Sequence, residues 1–575
     1  MRTPSTNDPA GLSRRGFVAS LAGAAGAMSA MQLGATRADA APPETPFGYD
    51  LPYPSQRQPV MAANCVATSQ PLAAQAGLEM LRKGGNAVDA AVATAAALTV
   101  VEPTSNGIGG DNFALIWMNG RLHGLNASGR APRALNRNDY DGLDSVPLYG
   151  WEAVTTPGAV SGWAAAIEKF GSLPMTTVLE PAIRYARDGY LVSPEVARYW
   201  VYGDRRYRGD AKFDAWRSTF LIDGRAPAPG ELMRLPDHAR TLERIAASNG
   251  RDFYEGQTAE AIDRAARDAR AALRLADLQA HTARWVEPID TDYRGYRLHE
   301  IPPNGQGITA LIALGILRNF DLTDLPPDSV ESLHLQIEAM KLAFRDAHAH
   351  IADPEHMRVT AADLLDPDYL ASRAQLIERT RAQDFRHGKP KDGGTVLLTA
   401  ADAQGNMVSW IQSNYTGFGA GIVAPGTGVA LHNRGGCFVI DKDHPNDIGP
   451  GKLPYHTIIP AFVTKGGAPV MAYGVMGGYM QPQGHAQVMS RVVDHGQNPQ
   501  AALDAPRWQV HDALRVSIEP GFKPEVYEGL KDLGHDLDPQ DSWSASFGRG
   551  QCIWRLDDGY VAASDLRADG QAVGF

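Results

Sequence analysis

From Ala87 to Val101 the chain reads AVDAAVATAAALTVV, with Asp89 its one charged residue. The run predicts a helix with alanine on nearly every face, which leaves it no solvent side and requires close neighbours all round. It is too short, and its aspartate too costly, for a membrane span. Before it, Pro71 stands where a helix tolerates proline, and Leu72–Lys83 carries apolar residues at helical spacing up to Gly84-Gly85. Met61–Thr68 reads as a first strand after a proline-rich stretch from Pro42 to Pro59. At 575 residues a large core is possible, and 44% hydrophobic with 21% charged residues excludes a disordered or fibrous class.

The formal charge is −11, and residues 1–40 contribute four arginines against two aspartates. Without them the chain would stand at about −13, which argues against a nucleic-acid partner. Three cysteines, Cys65, Cys437 and Cys552, form no CxxC pair, so neither a disulfide framework nor a structural zinc site is expected. Ser13-Arg14-Arg15-Gly16-Phe17, an apolar stretch to Leu33 and Ala38-Asp39-Ala40 resemble a twin-arginine export signal with its cleavage site. The twin-arginine export machinery is thus an expected partner, and a periplasmic or secreted location the expected destination.

Gly107-Ile108-Gly109-Gly110-Asp111 superficially resembles a phosphate loop. It leads into the strand Phe113–Trp117 instead of a helix, so its glycines are read as allowing tight backbone packing under a site. Residues from about 160 to 385 look mainly helical, with amphipathic spacing over Val178–Asp188, Ala259–Ala276, Ser332–His350 and Pro367–Ala382. His348, His350 and Asp346 lack metal-ligand spacing and read as a solvated helix end.

The pattern changes near residue 387. A polar Gly/Lys-rich linker, Gly388 to Gly394, gives way to the strand Thr395–Ala400, a turn at Asp402–Asn406 and a returning strand, Met407–Ile411. Glycine before Thr395 removes the Cβ that would obstruct attack, so the Thr395 hydroxyl can reach the carbonyl of Gly394. That attack converts the peptide to an ester. Hydrolysis of the ester frees the α-amino group of Thr395, whose ordinary pKa near about 8 suits a general base for its own hydroxyl. Gly474-Val475-Met476-Gly477-Gly478, after a strand Ala468–Tyr473, offers backbone N–H donors for the oxyanion.

Several runs together resemble the gamma-glutamyltransferase (glutathione hydrolase) family of N-terminal nucleophile hydrolases. They include Pro71-Leu72-Ala73-Ala74, Leu81-Arg82-Lys83-Gly84-Gly85-Asn86-Ala87-Val88-Asp89-Ala90-Ala91, Val101-Glu102-Pro103, Pro157-Gly158, Ala186-Arg187-Asp188-Gly189 and Ala563-Ser564-Asp565. The resemblance implies an α/β (α+β) fold, a four-layer αββα sandwich. It further implies a signal over 1–40, then a large subunit 41–394 and a small subunit 395–575 from one precursor, remaining associated. It places Thr395 at the nucleophile, Ser413 at a supporting hydroxyl, and Gly477 and Gly478 in the oxyanion hole. No metal or organic cofactor is implied.

Departures from the family pattern bear on substrate. The arginine that holds a γ-glutamyl α-carboxylate aligns with Asn126-Ala127-Ser128-Gly129, leaving Arg130 displaced by two. The aspartate that holds the α-ammonium falls in Asn433-Arg434-Gly435-Gly436-Cys437; a serine pair is replaced by His456 and Thr457, and an asparagine by Tyr415. Losing the carboxylate opposite a desolvated ammonium costs about 2–5 kcal/mol, so glutathione is expected to be a poor substrate. Arg130, Arg434 and His456 instead favour a small-molecule amide whose acyl group bears a carboxylate, as in the oxamate-amidohydrolase and acylase branches. Two alternatives stand beside this reading: a true glutathione hydrolase or transpeptidase using Arg130, and an unprocessed periplasmic binding protein.

Overall fold

The computed structural model describes residues 52–385, apart from 54 and 56, and residues 394–575. The expected export signal over 1–40 lies outside these residues, as does the linker up to residue 393.

The alanine-rich run forms the helix Ala87–Val101, and every one of its residues is buried. Its start is built by the side chains before it. Asn86 accepts from the backbone N–H groups of Val88 and Asp89, and Asp89 accepts from that of Asn86, a reciprocal cap that satisfies otherwise orphaned donors. Asp89 also accepts from Ser172 and Leu173 N–H, pinning the corner to a distant loop. Gly84, at φ +86°, takes the left-handed turn that closes the helix Pro71–Arg82. The two helices cross closely. A Cβ on Gly77 would lie 2.3 Å from Thr94 Oγ1 and 2.9 Å from the Ala90 carbonyl, so only a hydrogen fits there.

These helices cover a seven-stranded antiparallel sheet, ordered Gln571–Gly574, Cys65–Thr68, Gly394–Ala401, Met407–Tyr415, Asp111–Met118, Arg121–Ala127 and Arg284–Val286. A second seven-stranded antiparallel sheet runs Val60–Ala62, Gly559–Ser564, Arg549–Leu556, Ala468–Met476, Ala461–Lys465, Tyr296–Glu300 and Ile289–Tyr293. Side-chain alternation along Gly394–Ala401 divides its residues between two cores. Val396, Leu398 and Ala400 join the helix-side core; Leu397 and Ala401 join Phe113, Phe462 and Ile553 between the sheets. The helices Gly307–Leu317, Val330–His350 and Met480–Val493 cover the far side of the second sheet. The order is therefore helix, sheet, sheet, helix. Strands from before and after residue 394 are interleaved in both sheets.

Several local expectations need correction. Met61–Thr68 is not one strand: Val60–Ala62 pairs in one sheet and Cys65–Thr68 in the other, because the chain crosses between layers there. The helix expected over Ala259–Ala276 ends at Asp268, beyond which Arg270 takes φ +57°. The one expected over Pro367–Ala382 ends at Ala374. The end of Val330–His350 is not a solvated one. Asp346 is buried against Arg373, and the His348 ring packs on Tyr479 at 5.4 Å. Cys65, Cys437 and Cys552 are buried, and none of the three is in a disulfide.

Candidate active site at the Gly394-Thr395 junction

Thr395 sits at the head of a central strand, fully buried, and the register slips beside it. Gly394 pairs with Tyr415 but Val396 pairs with Gln412, so an extra residue bulges on the opposite strand. Bulges re-aim side chains, and here the bulge turns Ser413 onto the junction. The Thr395 hydroxyl donates to Ser413 Oγ at 3.2 Å, and Ser413 Oγ donates to the Gly394 carbonyl at 2.8 Å. Ser413 Oγ also accepts from Tyr415 N–H at 2.7 Å and from Arg434 Nη2 at 3.1 Å. With the Tyr415 N–H and the Arg434 guanidinium on its lone pairs, Ser413 has its own proton directed at the Gly394 carbonyl, which polarises the Gly394-Thr395 peptide. A side chain at 394 would crowd Gly417 N at 3.0 Å. Tyr415 takes φ +76°, a strained conformation for an aromatic residue, which closes the strand and lays its ring beneath Arg434.

Arg434 is buried completely. Its Nη1 donates to Thr457 Oγ1 at 2.6 Å, its guanidinium lies 4.7 Å from the Tyr415 ring centroid, and its Nε has no acceptor. Among the described residues no carboxylate oxygen comes within ion-pair distance of it. A buried guanidinium without a paired anion carries a large desolvation cost.

Behind Arg434 lies Asp111. Its carboxylate accepts from Gly158 N–H at 2.9 Å and contacts His456 Nε2 at 3.0 Å, with His432 Nε2 at 3.8 Å. Burial pushes the Asp111 carboxyl up to about 7, against the opposing pull of Arg434. Both imidazoles are held neutral, first by burial and then by Arg434; His432 falls to about 3 and His456 well below its usual range.

Gly477 and Gly478, at φ +141° and +58°, form the turn between the strand Ala468–Met476 and the helix Met480–Val493. Gln481, in the first turn of that helix, reaches Thr395 Oγ1 with its Nε2 at 3.5 Å. Gly394, Met476, Gly477 and Gly417 border a cavity of about 710 Å³ on the open side of the junction.

The structure thus gathers Thr395, Ser413, Tyr415, Arg434 and Thr457 into one bonded cluster. Arg130 does not join it. Its guanidinium is neutralised by Asp353 at 2.9 Å and Glu355 at 3.0 Å, and it lines a separate cavity with Arg133 and Arg284. His456 is next to the cluster but is not the cation that its residue type suggests, since burial keeps it uncharged. Asp111, His432 and Gln481 are additions that spacing along the chain did not single out. Asp111 and His456 are 345 residues apart. The glycine run ahead of Asp111 was the available signal: Gly109 packs against the Ala430 backbone, where a Cβ would meet its carbonyl at 2.4 Å, and this close approach seats Asp111.

A second buried cluster lies outside the site. His334, Glu338 and His535 bring ligating atoms within 4.8 Å of one another. The cation among them is Lys341, whose ammonium donates to Glu338 at 2.7 Å, to the Gln383 carbonyl at 3.2 Å and to His535 Nδ1 at 3.5 Å. His535 Nε2 then meets His334 Nδ1 at 2.8 Å, and His334 Nε2 donates to the Glu378 carbonyl.

A four-layer αββα sandwich with a buried threonine hydroxyl at the head of a central strand has the architecture of an N-terminal-nucleophile hydrolase. The chain belongs to the gamma-glutamyltranspeptidase family, whose model matches residues 73–575. It is similar to a cephalosporin acylase from Bacillus halodurans, at 48% identity and a TM-score of 0.87 over 92% of this chain and 99% of that one. It is 36% identical to the glutathione hydrolase-like YwrD proenzyme of Bacillus subtilis, over 88% of this chain and 97% of that protein. It is also 36% identical to the oxamate amidohydrolase proenzyme of Klebsiella pneumoniae, with the same coverage. The chain is accordingly an enzyme of amide hydrolysis and acyl transfer, of the family's threonine-nucleophile type.

Proposed function

We propose that this chain cuts itself between Gly394 and Thr395 and then hydrolyses small amides whose acyl group carries a carboxylate. The Thr395 hydroxyl adds to the Gly394 carbonyl carbon, and the C–N bond breaks as the Thr395 nitrogen takes up the proton. Water resolves the ester to a Gly394 carboxylate and a free Thr395 amino group. In turnover that amine takes the hydroxyl proton as the oxygen attacks the substrate carbonyl. The Gly477 and Gly478 turn receives the oxyanion, the leaving amine takes the proton, and water or a second amine releases the acyl group. Arg434 carries the specificity reading: a buried cation beside the nucleophile, without an anion of its own, selects an anionic acyl end. The relatives named for cephalosporin and oxamate chemistry support an acyl preference outside the γ-glutamyl class. Arg130, held by two carboxylates, speaks against the glutathione alternative. We place the enzyme outside the cytoplasm, on the twin-arginine-like sequence at residues 13–17.

A denaturing gel and a substrate panel test this. Purified protein should give two bands that merge into one on Thr395→Ala. A single wild-type band would overturn the self-cutting reading. Processed enzyme should cleave oxamate or glutaryl anilide faster than γ-glutamyl anilide; the reverse order would sink the specificity reading.

A further inference from the structure

Glycine at 477 and 478 gives the turn its shape but leaves it free to take others, since neither residue has a Cβ to restrict it. Donors aimed at a developing oxyanion are effective only when they are fixed beforehand. The helix Met480–Val493 supplies part of that constraint: Met480 N–H donates to the Gly477 carbonyl at 2.9 Å, and Gln481 N–H to that of Gly478 at a longer 3.3 Å. The rest comes from Gln306, a wholly buried residue remote from the turn in sequence. Its Nε2 donates to the Gly478 carbonyl at 2.8 Å and to the Thr457 carbonyl at 2.6 Å, and its Oε1 accepts from the Tyr455 hydroxyl at 3.1 Å. These partners fix which way round the carboxamide stands, because turned over it would set its oxygen against two carbonyl oxygens. The backbone is held as well. Gln306 N–H donates to the His456 carbonyl and His456 N–H to the Asn304 carbonyl, both at 2.9 Å, so the two segments run side by side. Asn304 Nδ2 adds a bond to the Pro454 carbonyl at 2.8 Å. Thr457 is also the residue whose hydroxyl receives Arg434 Nη1. One carboxamide therefore touches the glycine turn on one side and the acceptor that orients the buried guanidinium on the other.

We propose that Gln306 is a positioning residue, which fixes the Gly477-Gly478 turn and Arg434 relative to one another and so sets where the oxyanion and the acyl end of the substrate lie. The inference rests on the roles read for that turn and for Arg434 above. Gln306→Met keeps the length of the side chain and removes both donors. In the processed enzyme its effect should divide in two. For glutaryl anilide and valeryl anilide alike, kcat should fall about ten- to a hundredfold, since both need the oxyanion donors in place. KM should rise, by about tenfold, for glutaryl anilide alone, because only that acyl group has a carboxylate for Arg434. Tyr455→Phe deletes one oxygen, keeps the ring and frees the carboxamide to turn; it should give the same pattern at about threefold. Gln306→Glu adds a readout that lost packing would not move. A carboxylate donates to neither carbonyl and its neutral acid donates to one, so the ratio of variant to wild-type kcat should climb as pH is lowered.

Hydrogen exchange measured by mass spectrometry reads the tether without any substrate. Backbone amides over residues 474–481 should exchange faster in Gln306→Met and in Tyr455→Phe than in wild type, while those of the helix Val330–His350 keep their rates. A lower thermal midpoint with kcat and KM unchanged would overturn the proposal, and so would a kcat ratio for Gln306→Glu that is flat with pH. If Gln306→Met yields no folded protein, Tyr455→Phe decides: wild-type kinetics together with wild-type exchange would reject the tether. The two readings fail differently. A wild-type enzyme that cleaves no carboxylated amide removes the acyl reading, and exchange over 474–481 still judges Gln306. Efficient cleavage of glutaryl anilide with the turn equally protected in all the proteins does the opposite.

Discussion

One guanidinium does much to define the candidate site. Arg434 donates to Ser413 and Thr457 and rests on the Tyr415 ring, yet it has no paired carboxylate. Arg434→Met keeps the volume and removes a buried charge, a change that proteins commonly tolerate in stability. It should raise KM for a carboxylated acyl substrate by the worth of a desolvated charge pair, about 2–5 kcal/mol. Steady-state kinetics with glutaryl anilide reads this directly. Asp111 modulates the same charge. Below about 7 its carboxyl is protonated and leaves Arg434 to the substrate; above it the carboxylate competes. KM should therefore rise as pH passes upward through about 7, and Asp111→Asn should flatten that rise. The effect on stability has a definite sign. A carboxyl raised above its unfolded value binds its proton more tightly when folded, so its contribution is most favourable at low pH and declines as pH climbs from about 4 to about 7.

The corner at residues 83–89 shows how a short run of residues builds an element. Gly84 turns the chain, Asn86 and Asp89 cap the next helix, and alanines let that helix lie against both its neighbour and the sheet. Gly77→Ala puts a methyl 2.3 Å from Thr94 Oγ1. It should lower stability by about 1–3 kcal/mol through overpacking, measured as a fall in the thermal midpoint with the active-site kinetics unchanged. This helix was legible in the sequence because it is uniformly apolar; the strand at Gly394–Ala401 was legible because a polar linker stops there. Met61–Thr68 was misread for a physical reason. Both of its halves are strand-like, and which sheet each joins is set by partners remote in sequence: Tyr560–Ala562 for one, Leu398–Ala401 and Gln571–Gly574 for the other. The pairing of Arg130 and the neutrality of His456 were illegible for a similar reason, since the carboxylates around one and the burial of the other come from segments remote in sequence.

Across the whole molecule, the segment that leads to the junction is tied down well before it reaches residue 394. Lys341, His535 and His334 carry a directed chain of hydrogen bonds that ends on the backbone of Glu378 and Gln383, and Ala382 N–H donates to the Leu533 carbonyl. Lys341→Met strands Glu338 as an unpaired buried carboxylate. It should cost about 3–5 kcal/mol, visible in denaturant unfolding; Lys341→Met combined with Glu338→Leu should recover most of the loss.

Interleaved strands have a consequence for the order of events. Because strands from both sides of residue 394 share both sheets, neither piece owns a sheet of its own. The junction geometry exists only after the layers have closed, so the cut we propose would come last. Once made, it would erase the connectivity that guided assembly, and two separated pieces would then have to find each other through fourteen interdigitated strands. On that reading the mature enzyme is a one-way product: its native arrangement is reached through a covalent path that it no longer contains.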